Sequence, residues 1–212
     1  MSSELNIGVF ASGAGSNFKA IVDAITNGSI RHAKVVVVIS NNSDAGALRI
    51  ANESGLPALH ISRQQFPSDE ALTASLLHTL RTYKVNLIVL AGYMNKIDPL
   101  IIRNFRNRII NIHPALLPAF GGKGMYGMRV HEAVIASHSR VSGATVHLVD
   151  EEYDHGRILL QQIVPVDPLD TPETLAAKVL KVEHEVYPRA IGMIAEDQIA
   201  LDEEQVGSFN SP

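Results

Sequence analysis

Asn111 and His113 stand two residues apart at the end of an apolar run, Arg108-Ile-Ile-Asn-Ile-His-Pro114. Ile109, Ile110 and Ile112 are β-branched and read as a short buried strand. Pro114 stops that strand because it has no N–H to give to a ladder. A spacing of two places the amide and the imidazole on one face of the strand. In an open α/β sheet, ligands gather beyond the carboxyl ends of the strands. There an amide can steady an oxyanion while an imidazole handles a proton, which is what attack on a carbonyl requires. The same pair could equally cap a turn, so this stretch alone leaves both readings open.

Two further stations carry chemistry. Ser12-Gly-Ala-Gly-Ser-Asn17 follows an apolar run, Ile7 to Ala11, and precedes a helical pattern of Phe18, Ile21, Val22 and Ile25. Strand, glycine turn and helix suit a phosphate cradle, in which backbone N–H groups and the positive helix end face an anion; the same glycines could also serve the geometry of a tight turn alone. The spacing is not G-x-G-x-x-G, so the turn is closer to a phosphate cradle than to a dinucleotide fingerprint. Asp154 lies in an acidic turn, Asp150 to Gly156. Near an imidazole its carboxylate would raise the imidazole pKa and orient the ring; taken singly it reads as a turn former. His60, His78, His138 and His147 lack ligand-like spacing and read as structural or surface residues. A zinc site from His147, Asp154 and His155 wants a further well-spaced ligand.

The elements that must position these residues alternate strand and helix. Strands are expected at Ile7–Ala11, Lys34–Ile39, Pro57–Ile61, Leu87–Leu90 and the Ile109 stretch. Helices are expected from Phe18 to Asn27, after a capping Ser40–Asp44 turn as far as Gly55, over Glu70–Tyr83 and from Pro99 to Phe105. Gln64 to Ser68 reads as a loop. Short connections of this kind imply a parallel sheet with right-handed crossovers. After a glycine-rich loop, Phe120 to Gly127, a helix at Val130–Ser137 leads to Gly143–Val149, where Ala144, Val146 and Leu148 share one side. Ile158–Val166 answers it as a hairpin, so the C-terminal half carries an antiparallel element. Asp170-Thr-Pro-Glu173 starts a last helix, with Pro188 inside or near its end. The fold class is therefore α/β: a mostly parallel twisted sheet with helices on both faces, in one domain over residues 1–212. A loose tail is expected from about Asp202.

Bulk properties narrow the function. The 212 residues carry a net charge of -4 and no basic stripe, which disfavours a nucleic-acid footprint. The absence of cysteine excludes disulfides, thiolate metal sites and a thiol nucleophile. No apolar run approaches the ~20 residues of a membrane helix. Met1 to Asn6 show no basic stretch before an apolar run, so no signal peptide is expected and a cytoplasmic location is.

Ser12–Asn17, Leu90-Ala-Gly-Tyr-Met94, Asn111-Ile-His-Pro-Ala-Leu-Leu-Pro118 and Asp154-His-Gly-Arg-Ile158 resemble, in order and spacing, the glycinamide ribonucleotide formyltransferases. These are folate-dependent enzymes of purine synthesis with a Rossmann-like domain, and the resemblance runs from about Ile7 to Asp197. It implies Asn111 as the oxyanion-binding amide, His113 as the proton-handling imidazole and Asp154 as the carboxylate that poises it. It implies Gly15, Ser16 and Asn17 as the cradle for the ribonucleotide phosphate and Glu183 as the carboxylate holding the glycinamide end. The folate, 10-formyltetrahydrofolate as co-substrate, would lie along Met94, Asn95, Lys96 and Ile97, with Asn111 and the turn from Asp150. The implied reaction needs no metal, nucleic acid or membrane, and the protein would be a monomer or homodimer.

This sequence departs from the family pattern at three places. Asn95-Lys96 replaces an arginine of the folate loop, Asp69 stands where some members have an arginine, and Phe120–Gly127 is longer than the short form. A methionyl-tRNA formyltransferase would carry a tRNA-binding domain, and a formyltetrahydrofolate deformylase a domain before its phosphate loop; neither is expected here. A dinucleotide oxidoreductase would need an acidic residue after the second strand, where Ser40-Asn41 stands. A non-enzymatic nucleotide-binding module would leave Asn111, His113 and Asp154 without a reason to sit at strand ends.

Overall fold

The computed structural model describes residues 4–202, and the expected tail beyond Asp202 lies outside the described residues. One seven-stranded sheet has the order β3-β2-β1-β4-β5-β6-β7. Its strands are β1 Leu5–Phe10, β2 Ala33–Ser40, β3 Ala58–His60, β4 Leu87–Leu90, β5 Ile109–His113, β6 Val141–Leu148 and β7 Ile158–Pro165. The first five pair in parallel, and β6 runs antiparallel to both β5 and β7. The expected antiparallel element is thus the β6–β7 hairpin, joined to the parallel sheet through β5. The strand order reverses between β1 and β4, the switch point at which such sheets hold their ligands.

The α-helices among the described residues are α1 Ser16–Thr26, α2 Gly46–Glu53, α3 Asp69–Thr82, α4 Pro99–Asn104, α5 Met128–Ala136 and α6 Pro172–Ala195. Alternation along the central strands builds two cores. Ile7, Val9, Leu87, Val89, Ile110 and Ile112 pack with α1, α2, α5 and α6. Phe10, Ile88, Leu90 and Ile109 pack with α3 and α4 on the other face. Burial on both faces explains why the parallel strands read as continuous apolar runs.

Two local expectations change. Ser40–Asp44 does not cap α2, whose N-cap is Ala45 with no side-chain hydrogen bond. Those side chains turn the chain instead: Asn42 Oδ1 accepts from the Asp44 N–H at 3.0 Å and Ser40 Oγ from the Asn42 N–H at 3.1 Å. The 64–68 loop contains one turn of 3-10 helix, Arg63–Gln65, held by a Ser62–Gln65 capping box. Strand β6 is buried on both faces from Ser142 onward. In α6, Thr171 caps the start and Pro188 sits inside the helix.

Candidate active site

Asn111 and His113 leave β5 on the Ile109 side of the sheet. Antiparallel pairing sets Asn111 opposite His147 and His113 opposite Thr145. Directly opposed residues share a face, so the register brings His147 into the site. The buried His147 donates its Nδ1–H to the Leu148 carbonyl at 2.8 Å. A carbonyl only accepts, so in neutral His147 the Nε2 atom is a lone pair. Asn111 Nδ2 donates to that lone pair at 3.1 Å. The contact fixes which end of the amide is nitrogen and leaves its second N–H free for a ligand.

His113 is almost fully buried and donates Nε2–H to the Phe120 carbonyl at 2.8 Å. Its Nδ1 lies 3.5 Å from Asp154 Oδ2, while Asp154 Oδ1 lies 3.6 Å from His147 Nε2. Asp154 thus stands between the two imidazoles, with a side chain 13% exposed. Burial pushes the His113 pKa below its ordinary value, against the opposing pull of Asp154 and the Phe120 carbonyl. The expected rise from the carboxylate is therefore present but outweighed by desolvation. Burial also lowers His147, opposed by the Leu148 carbonyl and Asp154.

Asp154 does not arrive by the route that strand-end logic suggests. Because β6 is antiparallel, its carboxyl end points away from that of β5, and the turn must fold back. The Gly122 N–H holds it there, donating to Asp154 Oδ2 at 2.9 Å. Asp154 adopts φ 56°, a left-handed conformation that aspartate tolerates better than most residues. The 120–127 loop is therefore part of the site: Phe120 caps His113 and Gly122 anchors Asp154. A Cβ at Gly121 would strike the Leu117 side chain and crowd Asp154.

The glycine turn lies at the carboxyl end of β1. Gly15 is the N-cap of α1 at φ 82°, and no side chain caps the helix. The first N–H groups of α1 consequently face outward without a capping side chain, the condition for anion binding. Asn17 Nδ2 donates to Glu183 Oε2 of α6 at 2.6 Å. Burial raises the Glu183 pKa, opposed by that hydrogen bond. Cradle and carboxylate, 166 residues apart, form one unit. Ser16 is the first residue of α1 and is half-buried.

The loop after β4 is tied to the same turn, since the Met94 N–H donates to Ser12 Oγ at 2.9 Å and the Ser12 N–H to the Gly92 carbonyl at 3.0 Å. Met94, Asn95 and Lys96 are exposed, and Ile97 is buried as an anchor. Lys96 lies 5.2 Å over the Tyr153 ring, joining this loop to the acidic turn. Asp150 shapes the acidic turn. Its oxygens are used within the turn, accepting from the Glu152 N–H at 2.8 Å and facing His155 Nδ1 at 2.9 Å. Asp69 opens α3 and pairs with Arg63. Among the described residues no group of three His, Asp or Glu side chains is arranged to hold a metal ion.

Sequence reasoning missed His147 and His131. His147 alternates with the core residues Val146 and Leu148, which already placed it on the opposite face; only the β5–β6 register shows what it meets. His131, buried on α5 with an unpartnered Nδ1, is close enough for His113 to lower its pKa further after burial.

A model of the family described as formyl transferase matches residues 5–191. The chain is 45% identical over 205 residues to the chloroplastic phosphoribosylglycinamide formyltransferase of Vigna unguiculata, covering 97% of this chain and 65% of that protein. It therefore spans about two thirds of that relative's length. The trifunctional purine biosynthetic protein adenosine-3 of Drosophila melanogaster is 39% identical over 189 residues, which cover 89% of this chain and 14% of that protein. Among solved structures, glycinamide ribonucleotide transformylase 1 from Symbiobacterium toebii matches with a TM-score of 0.87 at 40% identity, covering 94% of this chain and 92% of that one.

Proposed function

The chain belongs to the formyl transferase family, and from that membership we propose that it moves the formyl group of 10-formyltetrahydrofolate onto the amine of glycinamide ribonucleotide in purine synthesis. The supporting observation is the convergence of Asn111, His113, Asp154 and His147 on one strand end, beside a helix start suited to phosphate. The amine attacks the formyl carbon and the carbonyl oxygen becomes an oxyanion. The free N–H of Asn111 stabilises that charge, held in aim by His147. The His113 Nε2–H, now given to the neutral Phe120 carbonyl, is the second donor, and an oxyanion is the stronger acceptor. The Asp154 carboxylate favours the imidazolium and offers a path for the proton that the attacking nitrogen loses. Collapse of the tetrahedral intermediate breaks the bond to the folate nitrogen, which takes up a proton, and yields formylglycinamide ribonucleotide and tetrahydrofolate.

Gly15, Ser16 and Asn17 receive the phosphate, and Glu183 the glycinamide end. The folate lies along Met94 to Ile97 between β4 and the acidic turn. No helix among the described residues is long and apolar enough to cross a membrane. A panel of amines assayed with 10-formyltetrahydrofolate tests the assignment: transfer to the ribonucleotide should exceed transfer to any other amine, and robust transfer elsewhere with none to the ribonucleotide would overturn it.

A further inference from the structure

Tyr187 has no part in the chemistry just described, yet it is the largest fully buried side chain among the described residues. It lies on α6 one turn beyond Glu183, so the two side chains occupy the same stripe of the helix. Its hydroxyl reaches the Leu90 carbonyl at 3.0 Å and the Ile110 carbonyl at 3.1 Å. These carbonyls belong to neighbouring parallel strands, at the last rungs of the β4–β5 pairing. The hydroxyl has one proton, so it is shared between the two carbonyls as a three-centre bond, and since each carbonyl oxygen has two lone pairs the phenol bonds there without displacing the ladder. Burial drives the Tyr187 pKa far up, which keeps the hydroxyl a donor.

The position of those two carbonyls gives the contact its consequence. Leu90 is the last residue before the loop that carries Met94 to Ile97, and Ile110 immediately precedes Asn111. Tyr187 approaches from the α6 face, while Asn111 and His113 project from the opposite face of the same strand. Through Glu183 and Asn17, the same helix also holds the start of α1. We infer that Tyr187 is a positioning residue: by bridging the ends of β4 and β5 it sets the spacing between the formyl-donor loop and Asn111, and it registers Glu183 to both. This rests on the formyl-transfer reading, in which donor and acceptor must meet at Asn111. Misplacement of reacting groups by about 1 Å can cost as much as ~100-fold in rate, so a pin acting on both strand ends bears on turnover more than on binding.

The test compares the full chain with Tyr187→Phe, which keeps the ring and removes the hydroxyl, and with Ile191→Val, which trims the same buried face of α6 one turn further on. Turnover and both Michaelis constants are measured well below the melting temperatures, together with amide hydrogen exchange of segments 88–97 and 109–113. Tyr187→Phe should lower kcat about tenfold while each KM changes less than about threefold. Exchange should quicken in both segments, and Ile191→Val should leave kcat and exchange there unchanged. A Tyr187→Phe kcat within twofold of the parent, unchanged exchange in either segment, or an equal kcat loss in Ile191→Val would overturn the inference. Failure of the parent chain to transfer formyl would instead overturn the functional reading, and the exchange result would still decide whether Tyr187 pins the strand ends.

Discussion

Replacing Asp154 by Asn removes a charge and little else. Asparagine tolerates the φ of 56° found there, and its amide oxygen can still accept from the Gly122 N–H, so the turn should keep its place over the sheet. The loss falls on His113, whose Nδ1 is 3.5 Å from the carboxylate. Two full charges at that distance attract by about 5 kcal/mol at an effective dielectric of about 20. Sharing of the carboxylate with His147 and partial solvent access reduce this. Burial already depresses His113, and Asp154 opposes that depression. Removing Asp154 must therefore move the His113 pKa further down. The limb of the kcat–pH profile that reports the imidazole should shift to lower pH, with turnover reduced by ~10²–10⁴. Saturating formyl-transfer assays across pH, with NMR titration of the ring, measure both. An unmoved limb with activity near that of the parent would return Asp154 to the turn and refute its coupling to His113.

Asn111→Ala should lose ~10²–10³ in kcat while both substrates still bind by calorimetry; lost binding with normal residual turnover would make Asn111 a clamp instead. Gly15→Ala should destabilise the fold by about 2–5 kcal/mol in denaturant titrations, because its φ is left-handed and its Cβ would press on the Ala47 backbone at 2.7 Å. Asn17→Ala is the cleaner probe of the cradle, expected to raise the ribonucleotide KM well above any change for folate. Glu183→Gln at neutral pH should raise the melting temperature by about 2–4 °C, since burial disfavours the ionised form, and weaken the ribonucleotide; a lowered melting temperature would contradict this. His113, His147 and His131 are all depressed by burial. Their neutral forms thus contribute stability that is complete above the unfolded value of about 6.5 and is lost as pH falls through the lower folded values. Chemical denaturation between neutral and acid pH should show that loss, and the His131→Phe variant should show less of it.

What the sequence disclosed depended on whether the signal was local. The β-branched run ending at Pro114 announced β5 and the shared face of Asn111 and His113, because strand period and proline chemistry act over a few residues. The glycine turn announced the start of α1 for the same reason. Asp154 and His147 were different: one needs the turn after β6 to fold back onto Gly122, the other needs the β5–β6 register, and neither is encoded in spacing. The Ser40–Asp44 segment resembled a cap because asparagine and serine hydrogen-bond their own backbone in turns as readily as at helix starts. The net depression of His113 was hidden because a neighbouring carboxylate can be guessed from composition, whereas the burial that outweighs it belongs to the packed fold.

The most direct measurement is a single turnover of 10-formyltetrahydrofolate with a labelled formyl carbon, in the presence of saturating glycinamide ribonucleotide. Direct attack by the amine at Asn111 and His113 requires the label to appear in formylglycinamide ribonucleotide with little in formate, and the His113→Asn variant to slow its appearance without redirecting it. Label released chiefly as formate, or transfer that persists at the parent rate without His113, would contradict the mechanism.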